Sequence, residues 1–202
     1  MPRIAVVDHG AGNLVSIARG LEKVGADVVV AARPSDLAGA DGIVLPGVGS
    51  TASVMSGIRA AGFERPLLGS TVPLLGICVG MQVLFETSAE DGAVCLGLLA
   101  GQVHRLVAAP TLPHIGWNDL ATTDDPLFDG LGPDPEVYFV HSYAPVPADP
   151  SVVIATSDHG LPFVAAVRKG RVAGTQFHPE RSGETGLTIL GNFVQVTGAV
   201  AA

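Results

Sequence analysis

The chain has 202 residues, 48% of them hydrophobic, 15% charged and 5% aromatic, with 26 glycines and 15 prolines. A chain of this size and composition buries roughly 70% of the surface its unfolded form exposes, which excludes disorder, a collagen-like rod and a coiled coil and predicts one compact domain over residues 1–202. Eleven basic against nineteen acidic residues give a formal charge of −8, the wrong sign for gripping a nucleic-acid backbone or an anionic membrane, so the expected partners are proteins and small molecules.

In chain order, residues 3–8 read as a first strand, 14–24 as a helix stopped by Gly25, and 27–31 as a second strand. Residues 42–45 form a third strand that enters the loop Pro46-Gly47-Val48-Gly49. A helix over 51–61, a fourth strand over 73–77 and a helix over 80–90 follow. This alternation predicts a parallel sheet covered by helices. After Gly92 the pattern changes to strands at 98–106, 115–121, 137–143 and 152–156. A hairpin of 163–168 and 171–177 turns at Lys169-Gly170, and a helix over 185–196 closes the chain. With no internal repeat and no long linker, a three-layer α/β sandwich with a mixed second half is the expected architecture. The apolar run in residues 1–8 is cut by Asp8 and is too brief for a signal-peptide core. The uncharged stretches 42–58 and 67–85 are broken by Pro46, Pro73, glycines and Gln82, against the roughly 20 apolar residues a membrane span needs. Two cysteines in apolar surroundings, Cys78 and Cys95, make neither a disulfide framework nor a zinc site, and a reducing cytoplasm is the expected compartment.

The sharpest local signal is Leu74-Leu75-Gly76-Ile77-Cys78-Val79-Gly80-Met81-Gln82. An apolar strand runs straight into a helix with Cys78 at the junction, and the Gly-x-Cys-x-Gly frame leaves room for the tight turn of a nucleophile elbow. The helix N-terminus there favours a thiolate. The alternative is a small buried hydrophobe, the reading given to Cys95, which has no such frame. A thiol nucleophile needs a base and the base an orienting group. Of the six histidines, His178 in Gln176-Phe177-His178-Pro179-Glu180 fits that need. In extended chain His178 and Glu180 point to the same side, and Pro179 biases His178 toward extended geometry. Taken alone the pair reads as a surface turn; beside the elbow the catalytic reading takes over. Pro46-Gly47-Val48-Gly49 lies at the same carboxyl edge of the sheet, so the backbone amides of Val79 and of Val48 or Gly49 are candidate oxyanion donors. A phosphate-cradling loop is the competing reading, weakened by the absence of a P-loop lysine. Asp8-His9-Gly10-Ala11-Gly12-Asn13 fails as a dinucleotide fingerprint, because Val15 stands at the third glycine position and no acidic residue ends the second strand. The histidines show no metal-ligand spacing, so neither metal nor cofactor is expected.

Together, Gly76-Ile77-Cys78-Val79-Gly80-Met81-Gln82 and Gln176-Phe177-His178-Pro179-Glu180 resemble the two signatures of the class I, triad-type glutamine amidotransferases. The resemblance spans nearly the whole chain. It extends, at 8–14, 46–49, Pro113-His114-Ile115-Gly116-Trp117-Asn118 and Tyr138-Phe139-Val140-His141-Ser142-Tyr143, to a branch of free-standing glutaminase subunits that serve histidine biosynthesis. The resemblance implies a flavodoxin-like, mostly parallel central sheet with additional antiparallel strands. It also implies hydrolysis of glutamine by Cys78, His178 and Glu180 as nucleophile, base and orienter. Gly49, Gln82, Glu90, His141, Ser142 and Tyr143 would hold the glutamine, with Glu90 on its ammonium group. Asn13, Trp117 and Arg181 would face a cyclase subunit that receives the ammonia in a heterodimer. For Trp117 the alternative is core packing. The glutaminase of pyridoxal phosphate synthase, a cysteine peptidase or redox-sensing chaperone of similar fold, and a catalytically idle interaction module are the other readings. His9 and Ser50-Thr51 depart from the family's commoner residues. Flanked by glycines, the peptide planes of the 46–49 loop are expected to reorient and so admit or withdraw an oxyanion donor.

Overall fold

The computed structural model describes residues 1–200, with side chains described through residue 198. Its centre is an eight-stranded sheet assembled from both halves of the chain. The first half supplies β1 (Arg3–Val7), α1 (Leu14–Lys23), β2 (Asp27–Ala31), β3 (Gly42–Gly47), α2 (Thr51–Ala60), α3 (Glu64–Gly69), β4 (Leu74–Cys78) and α4 (Val79–Gln82). The second supplies β5 (Thr87–Ser88), β6 (Gly101–Arg105), β7 (His114–Asp119), β8 (Ala121–Thr122), β9 (Glu136–His141), β10 (Tyr143–Pro147), β11 (Val153–Asp158), β12 (Pro162–Lys169), β13 (Val172–Thr175) and α5 (Gly183–Val200). The sheet order is β2-β1-β3-β4-β13-β12-β11-β8, parallel from β2 through β13 and antiparallel beyond. The expected mostly parallel sheet with added antiparallel strands is thus the one formed.

Every residue of β3 and β4 is buried, so both faces of the sheet centre are covered. On one helical layer α1 presents Ile17 and Leu21, a turn apart, and packs with α5, which buries Ile189, Leu190 and Phe193; elsewhere α2 packs with α4. Asn192 on α5 donates to the carbonyls of Leu127 and Asp129, which fastens the returning chain beneath the helix. Two small sheets, β10-β6-β5 and the ribbon β7-β9, lie outside the main one.

Three expectations are corrected and one element is added. The third strand does not stop at Leu45. Pro46 and Gly47 still pair with Ile77 and Cys78, so only Val48 and Gly49 are loop. The helix expected over 80–90 is the single turn α4. Beyond it the backbone carbonyls of Val83, Leu84 and Phe85 accept from Leu96, Leu99 and Gly97 of a returning loop, and their side chains are fully buried, leaving no polar face for a helix to continue on. The strand expected over 137–143 is two strands, β9 and β10, broken at Ser142. The helix α3 had no expected counterpart.

Candidate active site

Cys78 ends β4 with φ +56° and ψ −114°, a conformation side chains avoid and one that a surrounding structure must impose. The imposing contacts are backbone on backbone. A Cβ on Gly76 would come within 2.6 Å of the Gly80 carbonyl oxygen, and one on Gly80 would strike the Leu45 carbonyl oxygen. The two glycines of the Gly-x-Cys-x-Gly frame therefore let α4 turn back onto β3 and β4 and thrust Cys78 upward at the sheet's carboxyl edge. Gly47 belongs to the same packing, since a Cβ there would lie 2.5 Å from Gly80 N. It is held, and the expected freedom of the 46–49 loop is confined to Gly49, which has φ +85° and open space around it.

His178 follows β13 in extended conformation, its backbone N–H donating to Tyr138 O at 2.9 Å. Its Nδ1 lies 2.9 Å from Glu180 Oε1, whose side chain is fully buried. The pairing expected from extended chain comes about otherwise. Pro179–Arg181 is a 3₁₀ turn with proline at its first position, where the missing N–H costs nothing, and the turn folds Glu180 back under the imidazole. Arg181 N and Ser182 Oγ both donate to His178 O, at 3.0 and 2.6 Å, which locks that turn. Burial by itself would lower the imidazole. The Cys78 sulfur and the Glu180 carboxylate, by hydrogen bonding and by charge, outweigh burial and push His178 up to about 10. A cationic imidazole beside a sulfur favours the thiolate. At Cys95 the reverse holds: burial, with the charge of Asp91 added, pushes its thiol up to about 11, the mark of an inert side chain.

Cys78, His178 and Glu180 open into one cavity of about 370 Å³. Val48, Gly49 and Val79 line it, as do Gln82, Glu90, His141, Ser142 and Tyr143. Of the three residues expected at a partner face, Asn13 and Arg181 stand at this same cavity. Trp117 does not. It lies on β7, 55% exposed, which rules out core packing, with its ring edge-on to Tyr138 at 6.1 Å; the Arg181 guanidinium covers Tyr138 at 4.3 Å. Glu90 accepts from the backbone N–H of Thr51 through Oε2 at 3.1 Å, and His9 Nε2–H donates to Pro46 O at 2.7 Å, so of the unusual residues it is the His9 side chain that braces the strand leading into the cavity. Among the described residues, no cluster of three or more His, Cys, Asp or Glu side chains is placed to hold a metal, and no helix is long and apolar enough to cross a membrane.

Two features escaped the sequence. Gln176, buried, places Nε2 3.7 Å from Cys78 Sγ. His114, stacked on His159 at 4.1 Å, bonds His141 at 3.1 Å. The position of Gln176 directly before Phe177-His178 is the one signal that would have pointed to it.

A three-layer α/β fold with a cysteine elbow facing a histidine–carboxylate pair defines a class, and the comparisons agree with it. The family model for class I glutamine amidotransferases matches residues 5–196, and the chain belongs to that family of enzymes. Its relatives place it in the HisH branch. It is 49% identical over 201 residues to imidazole glycerol phosphate synthase subunit HisH of Synechococcus sp. (strain JA-3-3Ab), covering 96% of this chain and 93% of the relative. With the HisH subunit of Dehalococcoides mccartyi (strain CBDB1) the identity is 42% over 198 residues, 96% and 97% of the two chains. Solved structures share the fold: a Thermoplasma acidophilum protein provisionally assigned as a component of GMP synthase (TM-score 0.77, 24% identity, 100% and 96% of the two chains) and PurLQS from Thermotoga maritima (0.74, 22%, 96% and 98%).

Proposed function

We propose that this chain is the glutaminase subunit of imidazole glycerol phosphate synthase. It hydrolyses L-glutamine to glutamate and ammonia and delivers the ammonia to a HisF-type cyclase partner in histidine biosynthesis, in the cytoplasm. The observation that carries this reading is His178 Nδ1 fixed 2.9 Å from the buried Glu180 while Cys78, held at φ +56°, shares its cavity. The HisH relatives favour it over the pyridoxal phosphate synthase glutaminase and over a peptidase.

The Cys78 thiolate attacks the side-chain amide carbon of glutamine, and the carbonyl oxygen becomes an oxyanion. Backbone N–H groups of Val79 and of Val48 or Gly49 receive it. His178, protonated, gives its proton to the amide nitrogen as the carbon–nitrogen bond breaks, so ammonia leaves and a thioester remains. Neutral His178 then takes a proton from water, whose oxygen attacks the thioester. Collapse expels the sulfur and releases glutamate, with Glu180 holding the imidazole throughout. No cofactor enters these steps. Gln82 lines the cavity with both protons of its Nε2 engaged, on Tyr143 O and on Gln176 Oε1, so its amide is held in one orientation at the cavity wall.

Cys78→Ala tests the reading. Glutamate release, measured with the cyclase present, should fall by more than about 1000-fold, and a glutamine-analogue electrophile should label Cys78 and spare Cys95. Label on Cys95, or turnover that survives the substitution, would refute it.

A further inference from the structure

We propose that Gln176 is a positioning residue for the nucleophile: its amide N–H is held against Cys78 Sγ, where it favours thiolate over thiol. The proposal rests on the reading of Cys78 as the attacking sulfur.

The orientation of Gln176 follows from a single carbonyl. Tyr143 O can only accept, so the group of Gln82 lying 2.9 Å from it is the amide nitrogen. The second proton of that nitrogen points at Gln176, 3.1 Å away, which must therefore present its oxygen. The nitrogen of Gln176 is then the atom facing Cys78 Sγ at 3.7 Å. The same carbonyl is held from its other side. His141 donates to Tyr143 O from Nδ1 at 3.0 Å, which leaves its Nε2 as an acceptor for His114 Nδ1–H at 3.1 Å. His114 Nε2 in turn accepts from Asn118 Nδ2 at 3.3 Å, and that amide also donates to Asp158 O at 2.7 Å. Burial pushes His141 down to about 3 and His114 to about 4, so both stay neutral and the direction of every link is kept. Gln82 and Gln176 are themselves almost wholly buried.

The sulfur has use for this donor. The one turn of α4 sums few peptide dipoles, so the helix contributes little to holding a thiolate. Val140 O, 3.8 Å from Sγ, accepts an S–H and so favours the thiol. Gln176 opposes it from another direction, alongside the imidazole of His178, which is backed by Glu180.

The test is alkylation of Cys78 by iodoacetamide as a function of pH, read by mass spectrometry on the Cys78 peptide so that Cys95 is counted apart. Gln176→Glu keeps the shape and the acceptor that Gln82 needs but turns the donor into an oxygen; Gln176→Met removes both. In Gln176→Glu the alkylation rate at neutral pH should fall about tenfold, the size of one hydrogen bond to a charged group, and its pH midpoint should rise. For glutamine, kcat should fall while KM stays within about threefold. Gln176→Met should show the same rise in midpoint together with a lower melting temperature. An unmoved midpoint in Gln176→Met overturns the proposal and reduces Gln176 to a support for Gln82, as does a rise seen only in Gln176→Glu, where the new carboxylate raises the midpoint by charge alone. Alkylation needs no glutamine: a wild-type chain whose Cys78 alkylates as expected but which releases no glutamate with the cyclase present would sink the glutaminase reading and leave the role of Gln176 standing.

Discussion

Cys78, the proposed nucleophile, and the groups around it come from two regions built on opposite principles. In β3 and β4 every residue is buried, and position is set by backbone packed on backbone at Gly47, Gly76 and Gly80. In the ribbon β7-β9 burial alternates along each strand; one face turns Ile115 and Trp117 to solvent while residues such as His114, Phe139 and His141 point inward. There, position is set by directed side-chain hydrogen bonds. Steric fixing holds Cys78 in a conformation it would not otherwise adopt, and no local change relieves it. Polar fixing is adjustable, because each link depends on a donor that substitution or docking is able to move. The division assigns geometry to the parallel half and tuning to the ribbon, and it is open to test.

The largest effect should come from the steric side. Gly80→Ala drives a methyl group into the Leu45 carbonyl, which belongs to the strand paired with β4 and has nowhere to retreat. We expect a loss of about 3 kcal/mol in urea unfolding and failure of Cys78 to react with an electrophile even where the variant folds. A variant of ordinary stability and reactivity would mean that Cys78 is not held by this packing.

Next in size is Glu180→Gln. Glu180 keeps the imidazole oriented and, with the sulfur, raises His178 to about 10. Loss of a hydrogen bond to a charged partner should lower turnover about 10- to 100-fold, less than His178→Ala, which removes the imidazole proposed to carry the proton. The pH dependence has a definite sign. A histidine raised above its unfolded value of about 6.5 contributes stability that is complete below that pH and disappears as pH rises through about 10. The melting temperatures of wild type and Glu180→Gln should differ most near pH 6 and converge toward pH 10. A gap that stays constant over that range would show that Glu180 does not act through the charge of His178.

The same division explains how much the sequence disclosed. Strands β1 to β4, the turn of β12 into β13 and the closing helix were legible because short apolar runs bounded by turn residues and helical spacing are local patterns, and the elbow was legible because its glycines stand two positions on either side of Cys78. The His178–Glu180 pair was found for a reason the structure replaces, the 3₁₀ turn at Pro179 doing what extended chain was expected to do. The length of α4 was not legible, since it ends where a loop from 96–99 takes its carbonyls. Nor was the contact of Gln176 with Cys78, 98 residues apart, or of His114 with His141, 27 apart. A lone glutamine or histidine has no spacing rule that names its partner; topology alone brings them together.

The smallest effect on the isolated chain, and the one that separates the regions most cleanly, is expected of Trp117→Ala. Trp117 is 55% exposed and reaches the site through Tyr138, whose ring lies beneath Arg181 and whose backbone carbonyl takes the His178 N–H. Removing an exposed ring should change stability by no more than about 0.5 kcal/mol, and alkylation of Cys78 in the free chain should be unaltered. With a cyclase partner the result should differ. If the ribbon is where docking acts, the partner stimulates glutamate release less in Trp117→Ala than in wild type, even at concentrations where calorimetry shows the complex fully formed. Equal stimulation in both would place the coupling elsewhere on the cavity rim, at Asn13 or Arg181, which line the cavity directly. A loss of reactivity in the free chain would instead show that the ribbon shares in holding the nucleophile, and the division between fixing and tuning would fail there.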